Sequence, residues 1–269
     1  MNNFWVRTLS GALFVILVVG SIILGSITFS VFFSIVTFLA VFEFHKLTNK
    51  QSGVTVNPYL SAIGGVLLFL TAHFLASGAA ISPFYLFYGL FVMVVIVSSL
   101  YQHKPNPIHN WAYFLAGQII IALPMALLNY IIFADGLQRM LVLSLFIIIW
   151  VNDTGAYLTG VTFGKHKLFL RISPKKSWEG FFGGAMFSLV AGYVLSRFVP
   201  ELNPVEWIIF SIIVVIAGTF GDLTESLLKR TLEVKDSGNI IPGHGGILDR
   251  FDSLLLASPF IFIYLSILL

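Results

Sequence analysis

The chain has 269 residues, of which 58% are hydrophobic and only 10% are charged. A water-soluble domain carries about 25% charged residues, so this chain is too apolar for a soluble enzyme, and its 27 phenylalanines exclude a disordered protein. The absence of cysteine excludes disulfides, thiolate metal sites and a cysteine nucleophile. The net charge of +3 becomes informative only through its placement.

Apolar stretches predict an all-α polytopic membrane protein with about nine transmembrane helices. A bilayer core about 30 Å thick needs about 20 apolar residues in a helix. The stretches 8–42 and 51–103 are each too long for one helix, and glycine, serine and proline positions divide each of them into two spans. One further span is predicted in each of the ranges 105–134, 140–152, 181–196, 207–221 and 251–269.

The placement of lysine and arginine predicts the orientation. With nine spans, every basic residue except Arg139 and Arg197 falls on one side of the membrane. Basic loops lie in the cytoplasm, so we predict a cytoplasmic N-terminus and a C-terminus outside. One missed span would move every later loop to the other side, so the asymmetry supports the span count.

Charge also divides the chain into two regions. Residues 1–149 carry seven charged side chains and residues 150–269 carry twenty. We predict an N-terminal transmembrane scaffold over 1–149, with about five spans and the start of the sixth. Residues 150–269 are predicted to form the catalytic region, with two cytoplasmic polar segments at 153–179 and 222–252.

The first polar segment combines an acid at the end of a span with a basic loop. Asp153 is predicted either to face an interior cavity, as intramembrane acids do, or to be a plain helix-end acid. Ser173, Lys175 and Lys176 flank a proline, and Ser177 is a predicted helix N-cap. Lysines beside a helix N-terminus predict a phosphate site, and a basic loop on anionic lipid headgroups is the alternative.

The second polar segment places acids at two helix ends. Asp222, either Glu225 or Ser226, and Lys229 share one face of a helix that continues beyond its span, although a surface salt bridge would have the same spacing. Asp249 and Asp252 are three residues apart on the last helix and face one direction. Together with Asp222 they are predicted to hold one or two hard cations, and magnesium suits such oxygen ligands.

A glycine-rich loop precedes this last helix. Gly245 and Gly246 allow backbone amides to approach an anion closely, while His244 is predicted to contact phosphate, transfer a proton or cap the turn. The sequence contains no HExxH, no GxxxxGK[ST] and no GxSxG motif. The remaining set of carboxylates, cations and glycines is typical of phosphoryl or nucleotidyl transfer, which depends on positioning and charge neutralisation.

Residues 226–252 resemble the signature of the phosphatidate cytidylyltransferases, the CDP-diacylglycerol synthases. The pattern is S-x-x-K-R, four residues, K-D-x-G, then P-x-H-G-G-x-x-D-R-x-D, and every fixed position is met. Residues 150–180 resemble the same family, so the resemblance covers about the last two-fifths of the chain. It implies that phosphatidate and CTP are converted to CDP-diacylglycerol and pyrophosphate, with Mg²⁺, by an inner-membrane homodimer whose active site faces the cytoplasm.

The resemblance leads to an assignment of roles. Catalytic roles are predicted for Asp222, Asp249, Lys229 and Arg250. Metal ligation, with two cation sites expected, is predicted for Asp222, Asp249, Asp252 and Asp153. Substrate binding is predicted for Ser173, Lys175, Lys176, Ser226, Arg230, His244, Gly245 and Gly246.

Two other functions fit parts of the sequence. A transporter would also have many spans and intramembrane acids, but the polar residues cluster at one membrane face and not along a path. A membrane enzyme that uses CTP on another lipid, such as an ether-linked phosphatidate analogue or a polyprenol, would carry similar polar segments. No nucleic-acid partner is expected.

Overall fold

The computed structural model describes residues 3–79, 83–104, 106–134 and 138–269. Its α-helices are α1 (Asn3–Ile23), α2 (Ser26–Thr48), α3 (Pro58–Ala76), α4 (Phe84–Ser98), α5 (Pro107–Gly117), α6 (Leu123–Ile132), α7 (Arg139–Phe163), α8 (Trp178–Leu195), α9 (Pro204–Thr231) and α10 (Leu248–Leu268). A π-helical turn, Gln118–Ala122, joins α5 and α6 into one continuous segment, and a 3-10 turn, Ser99–Tyr101, follows α4.

The predicted all-α polytopic membrane fold is confirmed. Within the described residues, eight helical segments are long and apolar enough to cross a bilayer, and α1, with the apolar stretch Arg7–Ile23, precedes them. These segments correspond one to one with the predicted spans. The helix α4 has none of its residues buried within the chain, which is expected of an apolar helix at the outside of a membrane bundle.

Several helices are longer than the predicted spans. α7 continues to Phe163, so Asp153 lies within a helix and not at its end. α9 continues to Thr231, as the spacing of its polar residues predicted. At its start, Asn203 and Glu206 form a reciprocal capping box, which satisfies amide groups that have no partner inside the helix.

A two-stranded antiparallel sheet is an addition that the sequence did not predict. Strands β1 (Lys167–Phe169) and β2 (Ser173–Ser177) form a hairpin between α7 and α8. Its residues have neither alternating hydrophobicity nor high strand propensity. Contacts with α9 hold it instead: Arg230 Nε donates to the Ile172 carbonyl at 3.3 Å, and Lys176 of β2 pairs with Asp222.

One hydrophobic core runs through both halves of the chain. Phe33 of α2, Phe146 of α7 and Phe251 of α10 meet with ring centroids 5.9 to 6.3 Å apart. Aromatic contacts at this distance are favourable when edge and face meet. These three rings tie the N-terminal half to α7 and α10, the helices that carry the polar cavity described next.

Candidate active site

A polar cavity of about 390 Å³ opens between α1, α7, α9, α10 and the loop before α10. Its charged and titratable lining residues are Asp153, Asp222, Asp249, Asp252, Arg250 and His244. Residues separated by nearly 100 positions in the sequence therefore meet at one end of the bundle. All four acids predicted as metal ligands line this single space.

Asp249 is enclosed and fully hydrogen-bonded. Its side chain is 6% exposed. One carboxylate oxygen accepts from Lys229 Nζ at 2.6 Å. The other accepts from the amides of Ser237 and Gly246, both at 2.8 Å, and from the Ser237 hydroxyl at 2.9 Å. Hydrogen bonds to an ionised group are the strong ones, so this carboxylate is held in one orientation.

Lys229 joins two acids. Besides Asp249 it contacts Glu225, one helical turn earlier on α9. The side chains of both Lys229 and Glu225 are largely enclosed, at 14% and 4% exposed. A buried charge of this kind is stable only when it is paired, so Lys229 neutralises two carboxylates that would otherwise repel each other across the α9–α10 interface.

Asp222 has looser surroundings. Its side chain is 30% exposed, and Lys176 of the hairpin pairs with it at 2.5 Å. The Ser226 hydroxyl donates to its other oxygen at 3.1 Å. The structure therefore brings Lys176 and Ser226, both predicted to bind substrate, to an acid predicted to bind metal.

Asp252 and Asp153 complete the acidic wall. Asp252 is partly enclosed on α10, and one of its oxygens accepts from the Ser253 amide at 2.6 Å. Asp153 on α7 is exposed at the rim. Among the residues that the structure describes, no three acidic or histidine side chains form a ready-made metal-binding group. The donors are nevertheless hard oxygens, and magnesium takes only one or two carboxylates beside waters and substrate phosphates.

The glycine-rich loop forms the side of the cavity next to α1. Gly243 and Gly245 have φ of 75° and 86°, the left-handed region that favours glycine. His244 Nδ1 lies 2.8 Å from the Ser10 hydroxyl of α1. Burial and the nearby guanidinium groups of Arg250 and Arg7 lower the pKa of His244, so its ring is neutral at pH 7.

The remaining predicted residues lie on the hairpin side. Ser173 and Lys175 belong to β2, with Lys175 exposed to solvent. Arg230 is exposed near the end of α9 and its Nε donates to the carbonyl of Ile172 at 3.3 Å, which links α9 to the hairpin. The predicted cap is confirmed, because the Ser177 hydroxyl accepts from the Gly180 amide at 3.1 Å.

Two residues of the site received no role from the sequence. Glu43 on α2 and Ser237 in the loop contact each other beside Asp249. The sequence does contain a signal for a functional role of Glu43, because it is the one acid in the mostly apolar stretch between positions 8 and 45. An acid inside a span needs a polar partner. Ser237 carries no signal of its own among the polar residues around it.

These features define a class: a polytopic membrane protein with a cavity of acids and cations at one end of an apolar bundle, suited to polyanionic ligands. Residues 5–268 match the cytidylyltransferase family, and the chain belongs to this family. The reaction class predicted from the sequence, cytidylyl transfer, is thereby confirmed.

Relatives from staphylococci cover almost the whole chain. A phosphatidate cytidylyltransferase from Staphylococcus aureus (strain COL) is 34% identical over 266 residues, which is 97% of this chain and 98% of the relative. Proteins with the same name from Staphylococcus haemolyticus (strain JCSC1435) and Staphylococcus epidermidis (strain ATCC 12228 / FDA PCI 1200) are 34% and 32% identical, with the same coverage of both chains.

Proposed function

We propose that this chain carries out the reaction for which its relatives are named: it transfers a cytidylyl group from CTP to phosphatidate, giving CDP-diacylglycerol and pyrophosphate. The observation that carries the proposal is the single cavity in which four aspartates and Arg250 meet. Such a cavity at the end of a lipid-facing bundle suits a reaction between a membrane lipid and a water-soluble triphosphate.

The chemistry needs little from a general base. The second pKa of a phosphate monoester is about 6, so the phosphatidate oxygen is already an anion when it attacks the α-phosphorus of CTP and pyrophosphate leaves. The difficulty is to bring two polyanions together. Lys176, Lys229, Arg230 and Arg250 supply positive charge around the cavity, and the Gly245 and Gly246 region is the proposed phosphate contact in the loop.

The acids of the cavity are the proposed ligands for Mg²⁺. Asp222 and Asp249 are assigned as the main ligands, with Asp252 and Asp153 beside them, at two cation sites. Asp222 fits this role, because its carboxylate is partly open and its partners are one lysine and one hydroxyl. Asp249 would bind the metal through the oxygen that Lys229 contacts, because its other oxygen accepts three hydrogen bonds. When bound, the metal supplies charge neutralisation to the phosphate oxygens. Lys176 pairs with Asp222, and Lys229 pairs with Asp249.

An apolar groove is the proposed binding site for the acyl chains of the lipid substrate. The groove, about 630 Å³, lies between the α5–α6 segment, α9 and α10, and its walls include Ile120, Leu227 and Leu255. Asp252 lines both this groove and the polar cavity. A lipid with its acyl chains in the groove therefore has its headgroup beside the acids.

The orientation in the membrane and the assembly are further parts of the proposal. CTP is a cytoplasmic metabolite, so the cavity faces the cytoplasm, in agreement with the basic residues predicted on that side. Contacts at the two ends of the bundle support this arrangement: Ser10 of α1 meets the glycine loop, while Arg139 donates to the Ile23 carbonyl at the opposite end of α1. The homodimer is proposed from the family resemblance alone.

The decisive experiment measures pyrophosphate release by the protein purified in detergent. We expect release only when CTP, phosphatidate and Mg²⁺ are all present, with CDP-diacylglycerol as the lipid product. Preference for an ether-linked phosphatidate or a polyprenyl phosphate over phosphatidate would assign a different lipid. Absence of release with every lipid, together with solute uptake by reconstituted vesicles, would favour a transporter.

A further inference from the structure

A buried acid from the N-terminal half reaches the loop that carries the family signature. Glu43 lies near the end of α2 and is 2% exposed. An acid in a membrane-spanning helix is costly and is found paired with polar partners. A carboxylate at this position therefore needs strong polar contacts, and its partners indicate its role.

Glu43 supplies the missing cap of α10. The residue before this helix, Ile247, has no side chain that can accept from the first turn. Glu43 Oε2 accepts from the Leu248 amide at 2.9 Å instead. A carboxylate is favoured at a helix N-terminus because unpaired amides and the helix dipole both attract negative charge. α10 thus begins against a side chain that is 205 positions earlier in the sequence.

The Ser237 hydroxyl also connects Glu43 to Asp249. The Ser237 hydroxyl lies 3.2 Å from Glu43 Oε2 and 2.9 Å from an oxygen of Asp249. A hydroxyl has one proton to donate, so it is shared between the two carboxylates. The position of Glu43 therefore determines where Ser237 sits, and Ser237 provides two of the donors that hold Asp249.

Two glycines of the signature pack against this acid. A side-chain carbon on Gly238 would collide with the carboxylate of Glu43, and one on Gly246 would collide with the Ser237 hydroxyl and the same carboxylate. Neither glycine has a positive φ, so the close approach of Glu43, and not backbone conformation, requires the absence of a side chain. The loop is shaped around the Glu43 carboxylate from both sides.

We propose that Glu43 is a positioning residue: it fixes Ser237 and the first turn of α10, and through them it sets the orientation of the Asp249 carboxylate. The inference rests on the proposed function for its activity readout, since Asp249 acts in that reaction. Glu43 itself touches neither substrate. Its effect on turnover passes through Ser237 and the N-terminus of α10.

The test compares Glu43→Ala, Glu43→Gln and Ser237→Ala with the control Thr37→Val. Thr37 lies on the same helix, is fully buried and bonds only to its own helix at the Phe33 carbonyl. Glu43→Ala removes the acceptor that holds the Ser237 hydroxyl and the Leu248 amide, so we expect its kcat to fall at least about tenfold. We expect its KM for CTP to stay within about twofold, the sign of lost transition-state alignment.

Glu43→Gln keeps an acceptor oxygen and the volume of the side chain, so it retains most of the turnover. Thr37→Val retains wild-type kcat. Because Glu43 acts through Ser237, the double variant Glu43→Ala/Ser237→Ala loses less than the product of the single losses. Turnover of Glu43→Ala equal to that of Thr37→Val, an equal loss in Glu43→Gln, or multiplicative losses in the double variant would each overturn the proposal.

The proposed function and this inference can fail separately. A wild-type protein that releases no pyrophosphate from CTP and phosphatidate overturns the function alone. The thermal midpoints of the wild type, Glu43→Ala, Ser237→Ala and the double variant then decide the inference, because residues that share a hydrogen bond have non-additive effects on stability. Additive midpoint shifts for Glu43 and Ser237 would show that the two side chains are not coupled.

Discussion

The two acids predicted to work as a pair, Asp222 and Asp249, have opposite surroundings. Asp249 is 6% exposed and accepts from Lys229, Ser237 and Gly246. Asp222 is 30% exposed and is held by Lys176, which comes from a surface hairpin. The Asp249 side of the cavity is therefore fixed before substrate binds, whereas the Asp222 carboxylate can exchange its partner.

The largest expected effect is that of Asp222→Asn. Removing a charged contact in an active site costs about 100-fold in rate or more, so we expect turnover, measured by pyrophosphate release, to fall at least about 100-fold. The thermal midpoint should stay near that of the wild type, because this carboxylate is partly exposed. The control Lys46→Ala, at an exposed position on α2, should retain activity. Near-normal turnover of Asp222→Asn would contradict its assigned role.

Asp249→Asn should lose both turnover and stability. An amide at this position turns one acceptor into a donor, which then faces either Lys229 or the donors of Ser237 and Gly246. An unsatisfied buried polar contact of this kind costs about 1–3 kcal/mol. Thermal unfolding in detergent should therefore separate this variant from Asp222→Asn. Equal midpoints for the two would mean that Asp249 is no more firmly held than Asp222.

A smaller effect is expected at the hairpin. Lys176→Ala removes the partner of Asp222 and a cation predicted to contact the triphosphate. The loss of one charged hydrogen bond predicts a rise of about tenfold or more in KM for CTP. Lys50→Ala, at an exposed position in the turn after α2, is the matched control in the same assay. An unchanged KM for CTP in both variants would contradict the prediction that the hairpin contacts the nucleotide.

The smallest effect concerns pH and the glycine loop. Because burial, Arg250 and Arg7 lower the pKa of His244 below its usual 6.5, the folded protein binds this proton less readily than the unfolded chain. The stability contribution is present above pH 6.5 and is lost as the pH falls through the lowered pKa. The thermal midpoint should drop between pH 7 and pH 5, and His244→Asn should show a smaller drop. Equal drops of the thermal midpoint in the wild type and in His244→Asn would contradict the lowered pKa of His244.

Much of the site was predictable because the signature residues are local to two segments. The helix α9 carries Asp222, Ser226 and Lys229 at spacings that follow directly from 3.6 residues per turn. The same spacing accounts for the contact between Lys229 and Glu225, which are four residues apart on α9. It did not show that Lys229 would also pair with Asp249, since that contact needs the packing of α10 against α9. The hairpin was missed for a similar reason, because its strands are held by neighbours and not by their own sequence.

Local sequence was sufficient for the helical membrane fold and the reaction class. Long uncharged stretches can satisfy their backbone in lipid only as helices, and clustered polar positions identify the family. Only the tertiary structure showed that Glu43 contacts Ser237, 194 positions later in the sequence. It also showed that the Asp222 side chain is more exposed than that of Asp249. Burial and partner atoms across helices are properties of packing, which no single stretch of the chain contains.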